Sequence, residues 1–308
     1  MATKGTKFVN EARRHHYAPQ FYLRQFACDD SLSRVRVLTQ QHEFIVGEAK
    51  AISRMGYEDD LHSIETLFGR TSIEAKIARE IETPIAQSPT WSRVVARNYG
   101  ALGESDVAIL YLLCRHLERR NLATLKFIES EQIRVRLPEY QLDYSDEERR
   151  MHDAIAAAPK GAHAFFLEGV LQTTPILEEL DEVGITICQS VDPLRSSTNP
   201  SLTVRVPAPE ADRRCASGQP ARAWWLPLSR SCGALITLGT SRRGLFHEPQ
   251  GSGFVRYMNR LYLVQLLSSP AVRYCLADDS FIDADLSWAD YQRVSQKGQK
   301  LRYRKISS

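Results

Sequence analysis

At 308 residues, with 43% hydrophobic and 25% charged side chains, the chain can bury a substantial core and has the composition of an ordinary globular protein. Its net charge of +3 is too small to demand a nucleic-acid partner, so only local basic clusters could argue for one. No apolar run approaches the roughly 18 residues of a membrane-spanning helix, and the polar, basic N-terminus lacks the apolar segment of a secretion signal. Cys28, Cys114, Cys188, Cys215, Cys232 and Cys275 are scattered without a C-x-x-C pair, which points to buried free thiols in a reducing cytoplasm.

From the N-terminus, residues 1–12 read as a mobile lead-in. Residues 13–26 hold the densest set of chemically active side chains: Arg13-Arg14-His15-His16-Tyr17-Ala18-Pro19-Gln20-Phe21-Tyr22-Leu23-Arg24-Gln25-Phe26. Ala18 precedes a proline and is pushed out of the helical region, while Pro19 suits a first helical position. His15, His16 and Tyr17 should therefore run extended into a short helical turn carrying Phe21, Leu23 and Phe26. Residues 33–39 alternate charged and aliphatic side chains as a half-buried strand does, with 44–46 as its partner. Asp59 and Asp60 offer N-caps to a helix over 61–81, with Leu61, Ile64, Leu67 and Phe68 on one face and Thr83-Pro84 as its stop. A short helix is expected over 91–99 and a long one over 107–134, where Arg115, Arg119 and Arg120 bring basic groups toward a common face.

Ser145-Asp146-Glu147-Glu148 is a capping box opening a helix over 149–157, and a further helix over 162–180 is interrupted or ended near Pro175. The second half changes character. Residues 183–188, 202–206, 223–228 and 234–238 are β-branched or apolar runs bounded by Gly and Pro, as in one antiparallel sheet, with 207–220 as a surface loop. Residues 253–267 form an amphipathic helix and 272–276 another strand. The expected fold is α+β, with a helical first half packed on a mostly antiparallel sheet from the second half plus an N-terminal strand. Residues 13–291 would form one domain and 292–308 a solvated basic C-terminal tail.

The run His15 to Ala27, His-His-Tyr-Ala-Pro-Gln-Phe-Tyr-Leu-Arg-Gln-Phe-Ala, resembles the N-terminal signature of the bacterial domain-of-unknown-function family DUF4238. Other pieces occur in that family's order: Tyr57, then Ile64-Glu65 and Ile73-Glu74; Trp225-Leu226-Pro227-Leu228-Ser229; and Val255-Arg256-Tyr257-Met258-Asn259. The resemblance spans roughly residues 13–280. Where the family carries Ser-Asp-Asn-Pro, this chain has Ser197-Thr198-Asn199-Pro200, and the carboxylate that an acid-dependent mechanism would use is gone. The resemblance implies a fold and assigns no activity.

No motif specifies a reaction. His15 and His16 are adjacent and cannot both face one ion from a regular helix, His62 and His116 lack an H-E-x-x-H context, and no cysteine pair completes a zinc set. Gly239 to Gly244 and Gly251-Ser252-Gly253 lack the phosphate-loop ending and the Rossmann context. Neither a metal nor a cofactor is expected. What remains is an accumulation of His, Tyr and Arg, the groups that metal-free phosphodiester cleavage needs for proton transfer and charge stabilisation. The expected catalytic set is His16 as general base or acid, His15 or Tyr17 as its partner, and Arg24 as the phosphate clamp. Gln20, Tyr22, Glu65, Arg115, Arg119, Asn199 and Asn259 are the expected binding residues. This reading makes the protein a phosphate-directed nucleic-acid-processing enzyme of nuclease type. In the rival reading the same surface is a non-enzymatic sensor of nucleic acid, a nucleotide or a protein partner, for example in bacterial defence. An exposed apolar patch around Trp224 and Trp225 would instead favour an assembly component.

Overall fold

The structure is a computed structural model and describes residues 14–59, 61–66, 69–135, 145–146, 150, 166–167, 169–206, 221–240, 242–249, 251–298 and 300–306. The expected lead-in, the helix over 149–157 and the loop over 207–220 lie outside these residues, apart from Arg150. The signature opens the fold as β1 (Arg14–His16), α1 (Gln20–Leu23) and a 3-10 turn (Arg24–Phe26). Pro19 is the N-cap of α1 rather than its first residue, with an extended ψ of 139°. β2 (Arg34–Gln41) and β3 (Phe44–Ala51) form the expected hairpin, with Val35 and Val37 buried between outward-facing Arg34 and Arg36.

The helix expected over 61–81 is not formed. After β4 (Tyr57–Asp59), which pairs with β1, the chain makes a hairpin of β5 (Ser63–Thr66) and β6 (Gly69–Ser72). Ile64, Thr66 and Thr71 are β-branched and Gly69 breaks the run, and these local preferences overrode the helical spacing of the apolar residues. Helix begins only at α2 (Glu74–Ile77), continues through a π-helical turn (Ala78–Glu82) and runs into α3 (Thr83–Ala86). Pro84 therefore falls in the first turn of α3, where its missing N–H is tolerated, and does not stop the helix. α4 (Pro89–Val95) is capped by Ser88, whose hydroxyl accepts the Trp91 N–H.

The long helix expected over 107–134 is two helices, α5 (Val107–Arg119) and α6 (Leu122–Val135). Asn121 makes the break: its Oδ1 accepts the Thr124 N–H at 2.9 Å while its Nδ2 donates to the Leu117 carbonyl at 3.3 Å. One side-chain amide thus caps both helix ends, and Arg120 is left at the junction, fully buried. A short α7 (Thr174–Glu178) leads into the strand-rich half.

That half completes two sheets rather than one. The five-stranded sheet runs β12 (Gly244–Pro249), β7 (Val183–Gln189), β11 (Cys232–Leu238), β10 (Ala221–Ser229), β9 (Leu202–Val206), antiparallel except for the parallel β12–β7 pair. The six-stranded sheet runs β14 (Tyr291–Lys297), β15 (Lys300–Lys305), β3, β2, β13 (Cys275–Leu276), β8 (Ser196–Ser197). The segment expected as a solvated tail is therefore a hairpin, with β15 paired against β3 and Tyr303 buried. Its lysines and arginines alternate with residues that face the sheet, so the absence of an apolar stripe did not mean absence of structure.

Trp224 and Trp225 are 0% and 1% exposed, so no apolar patch exists there. Successive residues of a strand face opposite sides, and these two enter different cores. Trp224 meets Tyr111 of α5 (6.2 Å between centroids), and Trp225 packs edge-on against Phe254 of α8 (Ser252–Ser268), the expected amphipathic helix. A Cβ at Gly233, which pairs with Pro227 two residues along β10, would lie 2.3 Å from the Trp225 indole, so only glycine fits. α9 (Ile282–Trp288), which no sequence signal announced, covers the end of the second core. All five cysteines among the described residues are free thiols, and four of them are buried. Among the described residues no helix is long and apolar enough to cross a membrane.

Candidate functional site

The histidines of the signature meet others from distant elements. Glu74, at the start of α2, is the hub. Its Oε2 accepts from His62 Nδ1 at 2.5 Å and lies 3.5 Å from Arg120 Nη2, while its Oε1 accepts the His16 backbone N–H at 3.1 Å. Arg120 also pairs with Glu82, from the π-helical turn, and Glu82 lies 3.7 Å from His116 Nε2. Arg120, the C-cap of α5, stands one helical turn beyond His116, and the break after Arg119 lets the guanidinium reach both carboxylates.

The environments set the protonation states. Burial alone would raise the Glu74 carboxyl, but the His62 hydrogen bond, Arg120 and the His16 N–H together hold it at about 2. Burial pushes His62 down to about 4 against the pull of Glu74, and burial likewise takes His116 to about 4. Near neutral pH both imidazoles are uncharged. Arg120 is drawn down to about 10 by burial, opposed by Glu74, and stays cationic. The Nδ1–H of His62 is thereby committed to Glu74. Among the described residues its Nε2 and the Nδ1 of His116 are buried without a hydrogen-bond partner. The His62 ring is stacked between His15 (5.6 Å) and Phe166 (6.2 Å).

His16 is the imidazole that opens outward. It lines a cleft of about 220 Å³ with Gln20, Phe21, Glu74, Glu82 and Thr83. Gln20 Nε2 lies 3.3 Å from His16 Nε2, an approach that suits a neutral ring accepting from the amide. Burial lowers the His16 pKa, Arg120, His15 and Arg14 reinforce the shift, and Glu74 opposes it. A larger cavity of about 560 Å³ sits between Leu61, Leu122, Lys126 and Arg273, away from the imidazoles.

The other expected site residues divide sharply. His15 is fully buried, with Nδ1 accepting the His62 N–H at 2.7 Å and Nε2 at 3.1 Å from Ser72 Oγ, so it is not a proton partner for His16. Tyr17 is buried beside Tyr274, burial raises its phenol far above the ordinary value, and it lines no cleft with His16. Tyr22 is fully buried and bonds the Pro227 carbonyl (2.8 Å) and Ser196 (2.9 Å), joining the signature to both sheets. Arg24 is exposed and lines a different cavity from His16, so the two heads do not converge. Arg120 is the cation of the cluster. Arg115 is buried between Glu118, Glu179 and the Trp224 ring, and Arg119 donates to the Gln172 carbonyl. Asn199 sits in the turn after β8, its N–H donating to Ser197 Oγ. Asn259 on α8 accepts the Arg195 N–H and donates to the Pro193 carbonyl, a clamp on that loop. Glu65 lies on β5 opposite Arg70.

Glu82 carried no signal in the sequence, and His62, His116 and Arg120 carried none strong enough to select them. Only Ile73-Glu74, as part of the family pattern, and the i, i+4 spacing of His116 and Arg120 pointed this way. Among the described residues, no group of three or more His, Cys, Asp or Glu is arranged to hold a metal ion. The family described as "Protein of unknown function (DUF4238)" matches residues 14–265. The chain belongs to that family. The match runs from β1 into α8, and so takes in the whole cluster around Glu74. No curated protein and no solved structure matches the chain.

Proposed function

We propose that this DUF4238 protein is a phosphate-directed, nucleic-acid-processing enzyme whose proton-transfer step is carried by His16. The observation behind the proposal is a neutral imidazole facing a cleft, with its backbone fixed by an ionised carboxylate that also orients a second imidazole. A base of this kind needs a lone pair at working pH and a fixed position, and both are supplied. In this scheme His16 Nε2 exchanges the Gln20 amide for a substrate hydroxyl and takes its proton. Gln20 and Thr83 orient the sugar, and Arg120 keeps Glu74 ionised from behind. Arg24 has no part in the cleft.

The cleft also supplies the argument for the non-enzymatic reading. Glu74 and Glu82 face one guanidinium, an excess of carboxylate that opposes a phosphodiester close to His16. A sensor would take its anionic ligand elsewhere on the surface. Cleavage of single-stranded RNA and DNA oligonucleotides by wild type and His16→Ala separates the readings. The enzyme reading expects His16→Ala to lose roughly 100-fold or more in rate with its melting temperature unchanged. Wild-type activity should fall as pH drops through a value below 6.5, the direction set by the lowered His16 pKa. No cleavage by wild type, or equal cleavage by the variant, overturns it.

A further inference from the structure

The cation that failed to join His16 belongs to a second built pocket. Arg24 lines a cavity of about 290 Å³ with Arg97 and Arg230 as its charged walls and Leu32, Val95 and Val191 at its rim. Among the described residues neither Arg24 nor Arg97 has a carboxylate partner for its guanidinium. Arg230 is aimed by Asp278, 3.0 Å from its Nη2, and Asp278 also pairs with Arg36. The turn carrying Arg230 and Ser231 is fixed as well: its two carbonyls accept the Leu194 and Ser190 N–H groups at 2.7 and 3.0 Å. The Arg230 wall of the pocket is thus held by the scaffold.

Its backbone has an unusual feature. Four non-glycine described residues have positive φ, and two of them, Leu32 (51°) and Arg97 (55°), line this cavity. Arg97 ends α4 where glycine is the usual residue, with its N–H bonded to the Val94 carbonyl and the Asn98 N–H to Arg93. A branched aliphatic and an arginine in the left-handed region are both disfavoured, and such strain concentrates at functional sites. The rim is apolar beside the cations. Leu32 is 49% exposed, Val95 52% and Val191 fully exposed, an arrangement with nothing to cover in the described chain.

We infer that this pocket binds a nucleoside monophosphate, with the phosphate between Arg24 and Arg97 and the base against Leu32, Val95 and Val191. Guanidinium pairs suit the several oxygens of a phosphate dianion, and the apolar rim gives a flat ring a surface that inorganic phosphate cannot use. The volume suits one such molecule, and the site stands independently of the chemistry at His16.

Calorimetric titration of the full chain with AMP, adenosine and inorganic phosphate tests it. AMP should bind at least roughly tenfold more tightly than either fragment, and Arg24→Ala should weaken AMP by a similar factor. Arg97→Gly removes the charge while suiting the left-handed backbone, so it should fold as well as wild type and still lose AMP. His16→Ala should bind AMP normally, which separates this site from the cleft. Absence of AMP binding at millimolar concentration, undiminished binding by Arg97→Gly, loss of binding in His16→Ala, or phosphate binding as tightly as AMP would each overturn the assignment.

Discussion

The buried charge networks around Arg195 and Arg120 are built to different ends. Around Arg195, fully inside, Nε and Nη2 form a two-pronged pair with Asp279 at 2.6 and 2.8 Å while Nη1 meets Asp285 at 3.0 Å. Arg260 adds a bond to Asp285 at 2.8 Å, and both carboxylates have no exposed side-chain surface. This network pins the loop before β8 to α8 and α9. Around Arg120 the same ingredients are looser. Its carboxylates are 21% and 16% exposed, imidazoles stand in for further carboxylates, and two ring nitrogens lack partners among the described residues. The Arg195 network holds its carboxylates wholly inside, whereas the Glu74 cluster keeps its carboxylates partly exposed beside an opening. That contrast, more than any single distance, supports the proposal that chemistry takes place at the Glu74 cluster.

Removing each guanidinium should break the comparison most visibly. Arg195→Met leaves Asp279 buried without its guanidinium while Asp285 keeps Arg260, and about 3–5 kcal/mol of unfolding free energy should be lost in urea titrations. Arg120→Met leaves Glu74 with His62 and the His16 N–H, and partial exposure softens the rest, so a loss of about 1–3 kcal/mol is expected. Equal losses would erase the distinction.

Acid sharpens it further, since only the Glu74 cluster contains histidines. Folded His62 and His116 titrate at about 4 against 6.5 when unfolded, so the unfolded chain binds protons first as pH falls. Stability should be level above pH 7 and decline from 6.5 toward 4, by up to ~3 kcal/mol per histidine. Glu74, lowered from 4.5 to about 2, extends the decline below 4.5. Urea midpoints across this range, with His116→Gln removing about half of the upper slope, check the assignment. The smallest effect belongs to the cleft's lip. Gln20→Ala, at a half-exposed position, should shift stability by less than ~0.5 kcal/mol while altering any activity that depends on His16.

Much of the fold was legible because it rests on local periodicity. The β2–β3 hairpin, α8 and the strands β7, β9, β10 and β11 are each carried by an alternation or stripe within one short window. The break at Asn121 was not legible, because its consequence depends on an amide that serves two helices at once. The candidate site was half legible. His16 and Gln20 could be read from the signature, but Glu74, His62, Glu82, His116 and Arg120 converge from four elements only after folding. Arg24 misled for the same reason, since four residues beyond Gln20 in the chain it faces another cavity.

The seam between β3 and β15 has a consequence for how the chain is made. The β2–β3 hairpin leaves the ribosome long before β15 and presents a bare edge along Phe44–Gly47 that stays open until β15 has been synthesised. Such a wait favours slow closure and exposes the nascent edge to pairing with other chains. Both arginines of β15, Arg302 and Arg304, sit over the Phe44 ring, so the strand that closes the edge also covers its aromatic side chain.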